Sequence, residues 1–164
     1  MFGALFLAFN AVTLYARIQS DRNRMNQALL GALQAATAKG ATAVHGVVVW
    51  NTASAQSAAV QILPQFLPVQ LAATTTQGAQ YTPLPTAPPD WTGTLTLGDF
   101  QTSDTAGTAT LFGQSQAVPG PFVAADLSVP VTERFFGVPL HFTLQVGRIS
   151  QVYGYNGHQF TQFP

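Results

Sequence analysis

The sequence predicts an α+β protein, in which a long N-terminal α-helix precedes a small, mainly antiparallel β-sheet head with one short helix. Residues 1–39 contain no proline and are rich in Ala, Leu, Gln, Arg and Met, which favour helix. After Gly40 the chain turns to short β-branched runs separated by turn-forming residues, which are typical of strands. We therefore expect an N-terminal helix over residues 1–39 and a β-rich head over residues 40–164.

The predicted helix has two unlike halves. Residues 1–16 are apolar apart from Asn10 and Thr13, whereas residues 17–39 are amphipathic. Gly40 is a natural stop, and Lys39 suits the negative end of the helix dipole. At 1.5 Å per residue the helix is about 58 Å long, too long for an ordinary surface helix of so small a domain. Apolar residues at helical spacing form one stripe: Leu7, Ala11, Leu14, Ile18, Met25, Leu29 and Leu33.

The first part of the head predicts one strand and one short helix. Residues 44–50 are β-branched, which indicates a strand. Asn51 or Thr52 can cap a helix over residues 53–63, and we expect its end to fray from Pro64. Residues 72–90 are rich in Thr, Gln and Pro, and their prolines predict an exposed connection without a central strand.

Two hairpins are expected in the rest of the head. Residues 91–100 alternate apolar and polar side chains, and residues 108–112 return as their partner strand. Residues 122–131 and 138–152 form the second pair, with a bulge near Gly147. The tail beyond these strands is aromatic and almost uncharged.

The charge content limits the classes of function. Charged residues make up only 7% of the chain and its formal net charge is zero, so nucleic acid is not the expected partner. No Lys or Arg occurs between Lys39 and Arg134, which suits a neutral surface of hydroxyls and amides. The chain has no cysteine, which excludes disulfides, thiol catalysis and thiolate metal sites.

Candidate catalytic and metal-binding residues are sparse, and we expect no enzyme, cofactor or metal site. His45, His141 and His158 show no metal-ligand spacing. We therefore expect His45 and His141 on the polar faces of strands and His158 in an exposed tail. A calcium site at Asp99 and Asp104 would lack a dense acidic loop. No nucleophile elbow or phosphate-binding loop is present. The aromatic residues are expected to pack in the core or between subunits more often than to bind a sugar: Trp91, Phe135, Phe136, Tyr153 and Tyr155.

The strongest indication of function is the apolar half of the helix. A head of 125 residues offers too few elements to cover every apolar face of residues 1–16. We therefore expect burial in lipid before assembly and against copies of the chain afterwards. Contacts between copies that do not close on themselves produce open helical filaments. A signal peptide fits less well, because no Lys or Arg precedes the apolar run and the helical pattern continues past it.

The run from Phe6 to Arg17, followed by an Ala- and Gln-rich amphipathic segment, resembles type IV pilin-like proteins. It looks most like the tight-adherence (Tad-type) pseudopilins with β-rich heads, with the proline-containing strand segments Val129-Pro130-Val131 and Gly137-Val138-Pro139 in support. This similarity implies a bacterial prepilin that loses a basic leader to a membrane peptidase and moves from the membrane into an extracellular filament. The helix would form the filament core and the head its outer surface.

One position departs from the family pattern. Many type IV pilins carry Glu at mature position five, where this chain has Leu5. Docking of a subunit would then rely on apolar packing, on Asn10 and on a charged cluster. That cluster, where we expect the apolar core to give way to a salt-bridged layer, comprises Arg17, Asp21, Arg22 and Arg24. The expected assembly interface comprises Phe2, Leu5, Phe6, Leu7, Phe9, Asn10, Leu14, Arg17, Ile18, Asp21, Arg22, Arg24, Met25 and Leu29.

Three functions follow in order of preference. The first is a structural subunit of a surface filament that serves adhesion, motility or surface contact. The second is a membrane-anchored exported binding module or a minor pilus-assembly factor. The third, an exported hydrolase, has no motif in its favour.

Overall fold

The structure, a computed structural model, describes residues 2–152 and their side chains from Ala8 onward. It confirms the α+β class. The aromatic tail, with His158, Tyr153 and Tyr155, lies outside the described residues. The described elements in chain order are α1 (Phe2–Gly40), β1 (Ala41–Val44), β2 (Val47–Trp50), α2 (Thr52–Phe66), β3 (Val69–Thr75), β4 (Gly78–Pro83), β5 (Leu95–Ser103), β6 (Gly107–Leu111), β7 (Gln114–Val118), β8 (Phe122–Phe135) and β9 (Val138–Gln151).

Helix α1 ends within one residue of the predicted boundary, and Gly40 lies where it meets α2. A Cβ at position 40 would stand 2.4 Å from the Cβ of Ala55, so only glycine allows the two helices to approach this closely. Among the described residues of α1, those that the head buries completely all lie in the C-terminal half, while Ile18 packs against the same core and is partly buried. The fully covered ones are Met25, Ala28, Leu29, Ala32, Leu33 and Ala36.

The main sheet is antiparallel, with strand order β3-β4-β5-β8-β9. Helices α1 and α2 pack on one face of it and form the larger apolar core. The hairpin β6–β7 packs on the other face over a smaller cluster of Ala109, Val118, Phe122 and Ala124. The hairpin therefore covers the second face only in part, over β5, β8 and β9.

The predicted pair of strands at the end of the chain is confirmed, but the bulge is wrong. Strands β8 and β9 pair from Phe122↔Gln151 to Phe135↔Val138 without a register shift, and Gly147 lies opposite Asp126. Register shifts occur instead in β5, between Gly98 and Gln101, and in β3, between Leu71 and Ala73. A Cβ at position 147 would stand 3.0 Å from Leu111 Cδ1, so glycine there lets the hairpin β6–β7 pack closely over β9.

Two other predictions are corrected by the pairing. The irregular connection predicted over residues 72–90 is confirmed only for residues 84–90, because β3 and β4 form a hairpin before it and Pro83 ends its second strand. The segment 108–112 does not pair with the strand before it. It forms β6 and pairs with β7, while β5 is held between β4 and β8. Proline stops a ladder only where its missing N–H is needed, and Pro83 sits at the strand end.

Three hairpins turn through two residues with positive φ, the geometry of a type I′ turn. This also corrects the single strand predicted over residues 44–50, which is two short strands with a turn between them. Each turn has glycine second and a bulky residue first, where Asn would be preferred. The pairs are His45-Gly46 (φ 52° and 81°), Phe112-Gly113 (50° and 74°) and Phe136-Gly137 (53° and 79°).

Helix α2 begins as predicted, because Asn51 Oδ1 accepts a hydrogen bond from the backbone N–H of Ser54 at 3.0 Å. It does not fray at Pro64 but continues to Phe66. Proline at 64 removes the donor that would bind the carbonyl of Val60. The buried Tyr81 hydroxyl donates to that carbonyl at 3.0 Å instead, so a strand of the sheet replaces the lost bond.

Replacing Tyr81 by Phe should lower the free energy of unfolding by about 1–3 kcal/mol, because the buried Val60 carbonyl loses its donor. In a Pro64→Ala background the loss should be smaller, since alanine at that position supplies the missing N–H. Urea unfolding of the four proteins of this double-mutant cycle measures the coupling. Equal losses in both backgrounds would contradict the compensation.

Candidate assembly surface and the carboxyl pairs

The N-terminal half of α1 leaves large apolar side chains in solvent. Phe9, Val12 and Tyr15 are 70%, 66% and 65% exposed. They follow one another at a spacing of three, so they lie along one side of the helix. Ala8, Ala11 and Ala16 beside them are also exposed. We call Phe9, Val12 and Tyr15 the exposed stripe.

The residues predicted for the assembly interface fall into three groups. Phe2, Leu5, Phe6 and Leu7 belong to α1, but their side chains lie outside the described part. Those from Phe9 to Arg24 are exposed or half-buried: Phe9, Asn10, Leu14, Arg17, Ile18, Asp21, Arg22 and Arg24. Met25 and Leu29 are completely covered by the chain's own head, so they offer no surface to another copy in this structure.

Two residues of the exposed stripe, Val12 and Tyr15, were not among the predicted interface residues. The predicted stripe followed the face that continues into Met25, Leu29 and Leu33, which is the face that the head buries. The spacing of three from Phe9 to Tyr15 was visible in the sequence. Only the tertiary structure shows which of the two faces the head leaves uncovered.

Asp21 lies where α1 meets the sheet, and it contacts the head. Its Oδ2 accepts a hydrogen bond from Trp91 Nε1 at 3.2 Å. Burial raises the pKa of Asp21, and the nearby carboxyl group of Asp90 raises it further, while the Trp91 hydrogen bond and Arg24 oppose the shift. The aspartate of the predicted charged cluster therefore joins helix to head. Trp91 itself is 6% exposed and packs in the core, as expected for most aromatic residues.

A second carboxyl pair lies on the other face of the sheet. Asp126 of β8 is only 5% exposed, and the carboxyl group of Asp99 from β5 lies within hydrogen-bonding reach of it. The backbone N–H of Phe112 donates to both groups, at 3.0 Å to Asp99 Oδ2 and 3.2 Å to Asp126 Oδ2. Burial first, and then Asp99, raise the pKa of Asp126 to about 6. We call Asp99 and Asp126 the carboxyl pair.

The described histidines and the proposed calcium ligands are engaged elsewhere. His45 forms a hairpin turn, and His141 Nδ1 lies 2.9 Å from Thr132 Oγ1. Asp104 Oδ1 accepts from the backbone N–H of Trp50 at 2.8 Å, whereas Asp99 belongs to the carboxyl pair. Among the described residues, no three His, Asp or Glu side chains come together in a metal-binding arrangement.

Within the part of the chain that the structure describes, no helix is both long and apolar enough to cross a membrane. Comparison with known proteins found no matching family model, no matching curated protein and no matching solved structure.

Proposed function

We propose that this protein is the structural subunit of a helical filament that polymerises through the N-terminal half of α1, with its β-rich head facing solvent. The observation that carries the proposal is the exposed stripe, because each of its three side chains is at least 65% exposed. Soluble monomers rarely display contiguous large apolar side chains, so such a surface indicates a partner.

The two halves of α1 give the proposed subunit a fixed geometry. Its C-terminal half packs against both α2 and the sheet, so the head sets the direction in which the helical N-terminal half projects. A rod that packs against a different part of the next copy makes a contact that does not close, and such contacts extend into filaments. The resemblance to pilins suggests an extracellular surface filament whose subunits are inserted in the membrane before assembly.

The low charge content of the whole chain supports the same proposal. Repulsion between subunits is weak when the chain carries only 6 basic and 6 acidic residues with a net charge of zero. Close packing of many copies then requires little charge neutralisation. A membrane-anchored binding module, as the second candidate, would share the apolar helix end but would remain a monomer.

Deleting residues 1–16 should convert a filament-forming protein into a soluble monomer. The deletion removes the exposed stripe and keeps Met25 to Ala36, which form the core with the head. Negative-stain electron microscopy and sedimentation velocity measure the outcome.

The full-length chain serves as the control and should form thin filaments without detergent. A full-length chain that stays monomeric and soluble would contradict the proposal. Shearing of expressing cells separates the two candidates, because filaments are released into the medium whereas anchored monomers remain with the membrane.

A further inference from the structure

The hairpin β6–β7 is held on the outer face of the sheet by few groups. Its own Ala109 and Val118 are buried against Phe122 and Ala124 of β8, and Leu111 packs against this cluster. The side-chain amide of Gln101 bonds the backbone of Thr110 on both sides, receiving its N–H at 3.2 Å and donating to its carbonyl. At the tip, the N–H of Phe112 binds the carboxyl pair.

The backbone is shaped to bring the two carboxyl groups together. Gly98, not Asp99, is the register partner of Asp126, and the irregularity that follows Gly98 places Asp99 beside it. Asp99 and Phe112 both adopt positive φ, 46° and 50°, which is unfavourable for side-chain-bearing residues. A Cβ at position 98 would stand 2.8 Å from Asp126 Oδ1, so glycine leaves room for the carboxyl group.

We propose that the carboxyl pair is a proton-dependent contact that controls how firmly the hairpin β6–β7 covers the outer face of the sheet. With one proton shared, the two groups attract each other and both accept the Phe112 N–H. With none, two negative charges face each other where Asp126 is buried, and the N–H groups and the nearby Arg22 oppose their repulsion only in part. The proposal is independent of filament formation.

The surroundings of the pair provide little other charge. The hairpin itself, residues 107–118, has no titratable side chain. On β9, Gly147 faces Asp126, and the neighbouring Arg148 donates to Asn26 of α1 at 3.3 Å. From α1, Arg22 lines a cavity of about 380 Å³ with Phe112 and Gly147, which places a cation near the hairpin tip.

The direction of the pH effect follows from the raised pKa of Asp126. The closed hairpin holds a proton up to about pH 6, whereas the opened hairpin releases it near the ordinary value of 3.8. Closing therefore takes up a proton below about pH 6. The added stability of the closed hairpin is fully present below about pH 4 and is lost as the pH rises from about 4 to 6. Above that range it opens more often and uncovers Phe122 and Ala124.

Hydrogen exchange followed by mass spectrometry on the full chain tests the proposal. After correction for the intrinsic exchange rate, protection of residues 107–118 should rise about tenfold between pH 7.5 and pH 5, as linkage predicts for a pKa that moves from 3.8 to about 6. Peptides from the hairpin β3–β4 provide the internal reference, because neither strand contains a titratable group other than Tyr81. Equal pH dependence in both hairpins would overturn the proposal.

Matched variants identify the groups that carry the effect. Asp126→Asn keeps an acceptor for Phe112 and should abolish the tenfold change, and Asp99→Asn should reduce it and shift it to lower pH. Asp104→Asn is the control, because Asp104 also accepts a backbone N–H but lies outside the carboxyl pair. Retention of the full change in both Asp126→Asn and Asp99→Asn, or its loss in Asp104→Asn, would refute the assignment.

Discussion

Replacement of Leu33 by Ala should lower the free energy of unfolding by about 3–4 kcal/mol. Leu33 of α1 is completely buried against α2 and the sheet. Removal of a buried leucine side chain loses its transfer free energy and adds the free-energy cost of the cavity left behind. Urea unfolding monitored by circular dichroism measures the loss.

Leu14→Ala is the matched control on the same helix. Leu14 is only half-buried and lies outside the core, so its replacement should cost less than about 1 kcal/mol. A similar loss at both positions would mean that the head covers the two halves of α1 equally. That result would contradict the division on which the proposed assembly surface depends.

Replacement of Val12 by Glu should raise the critical concentration for assembly by about a hundredfold. Val12 is 66% exposed in the single chain, so the new carboxylate is solvated there and the fold is unaffected. In a filament it would be buried without a partner, at a cost of roughly 3 kcal/mol per contact, which corresponds to somewhat more than a factor of 100. Pelleting assays over a concentration series provide the measurement.

Gln27→Glu supplies the control for Val12→Glu. It adds the same charge at an exposed position of α1 that lies in the half held by the head. Assembly of this variant should match that of the unaltered chain. Acidification to about pH 4 should partly restore assembly of Val12→Glu, because protonation removes the buried charge. If Val12→Glu assembled at the same critical concentration as the unaltered chain, the exposed stripe would be excluded from the interface.

The sequence predicted well those elements that local preferences determine. Helix α1 follows from its composition. The cap at Asn51 follows from a side chain that accepts a hydrogen bond from the backbone three residues on. The pairing of β8 with β9 follows from two long strand-forming segments that are close in the chain. Prediction failed where a distant partner mattered. Pro64 stays inside α2 because Tyr81, far along the chain, binds the free carbonyl.

The candidate sites divide in the same way. The apolar character of residues 1–16 and the charges of residues 17–24 could be read from the sequence alone. The carboxyl pair could not, since 27 positions separate Asp99 from Asp126 and their meeting depends on the irregularity in β5. The hairpin turns at His45, Phe112 and Phe136 could not be located either, because each has a bulky residue before glycine in place of the Asn or Asp that marks such turns.

By itself, the sequence determined that this protein has one long helix with an apolar start and a β-rich head with few charged residues, because helix preference and apolar spacing act over neighbouring residues. Only the tertiary structure decided how far along that helix the head reaches and which side chains it covers. Met25, Leu29 and Leu33 became core and Phe9, Val12 and Tyr15 remained exposed. Burial depends on which distant elements pack together, and the strand order β3-β4-β5-β8-β9 sets where the helix can lie.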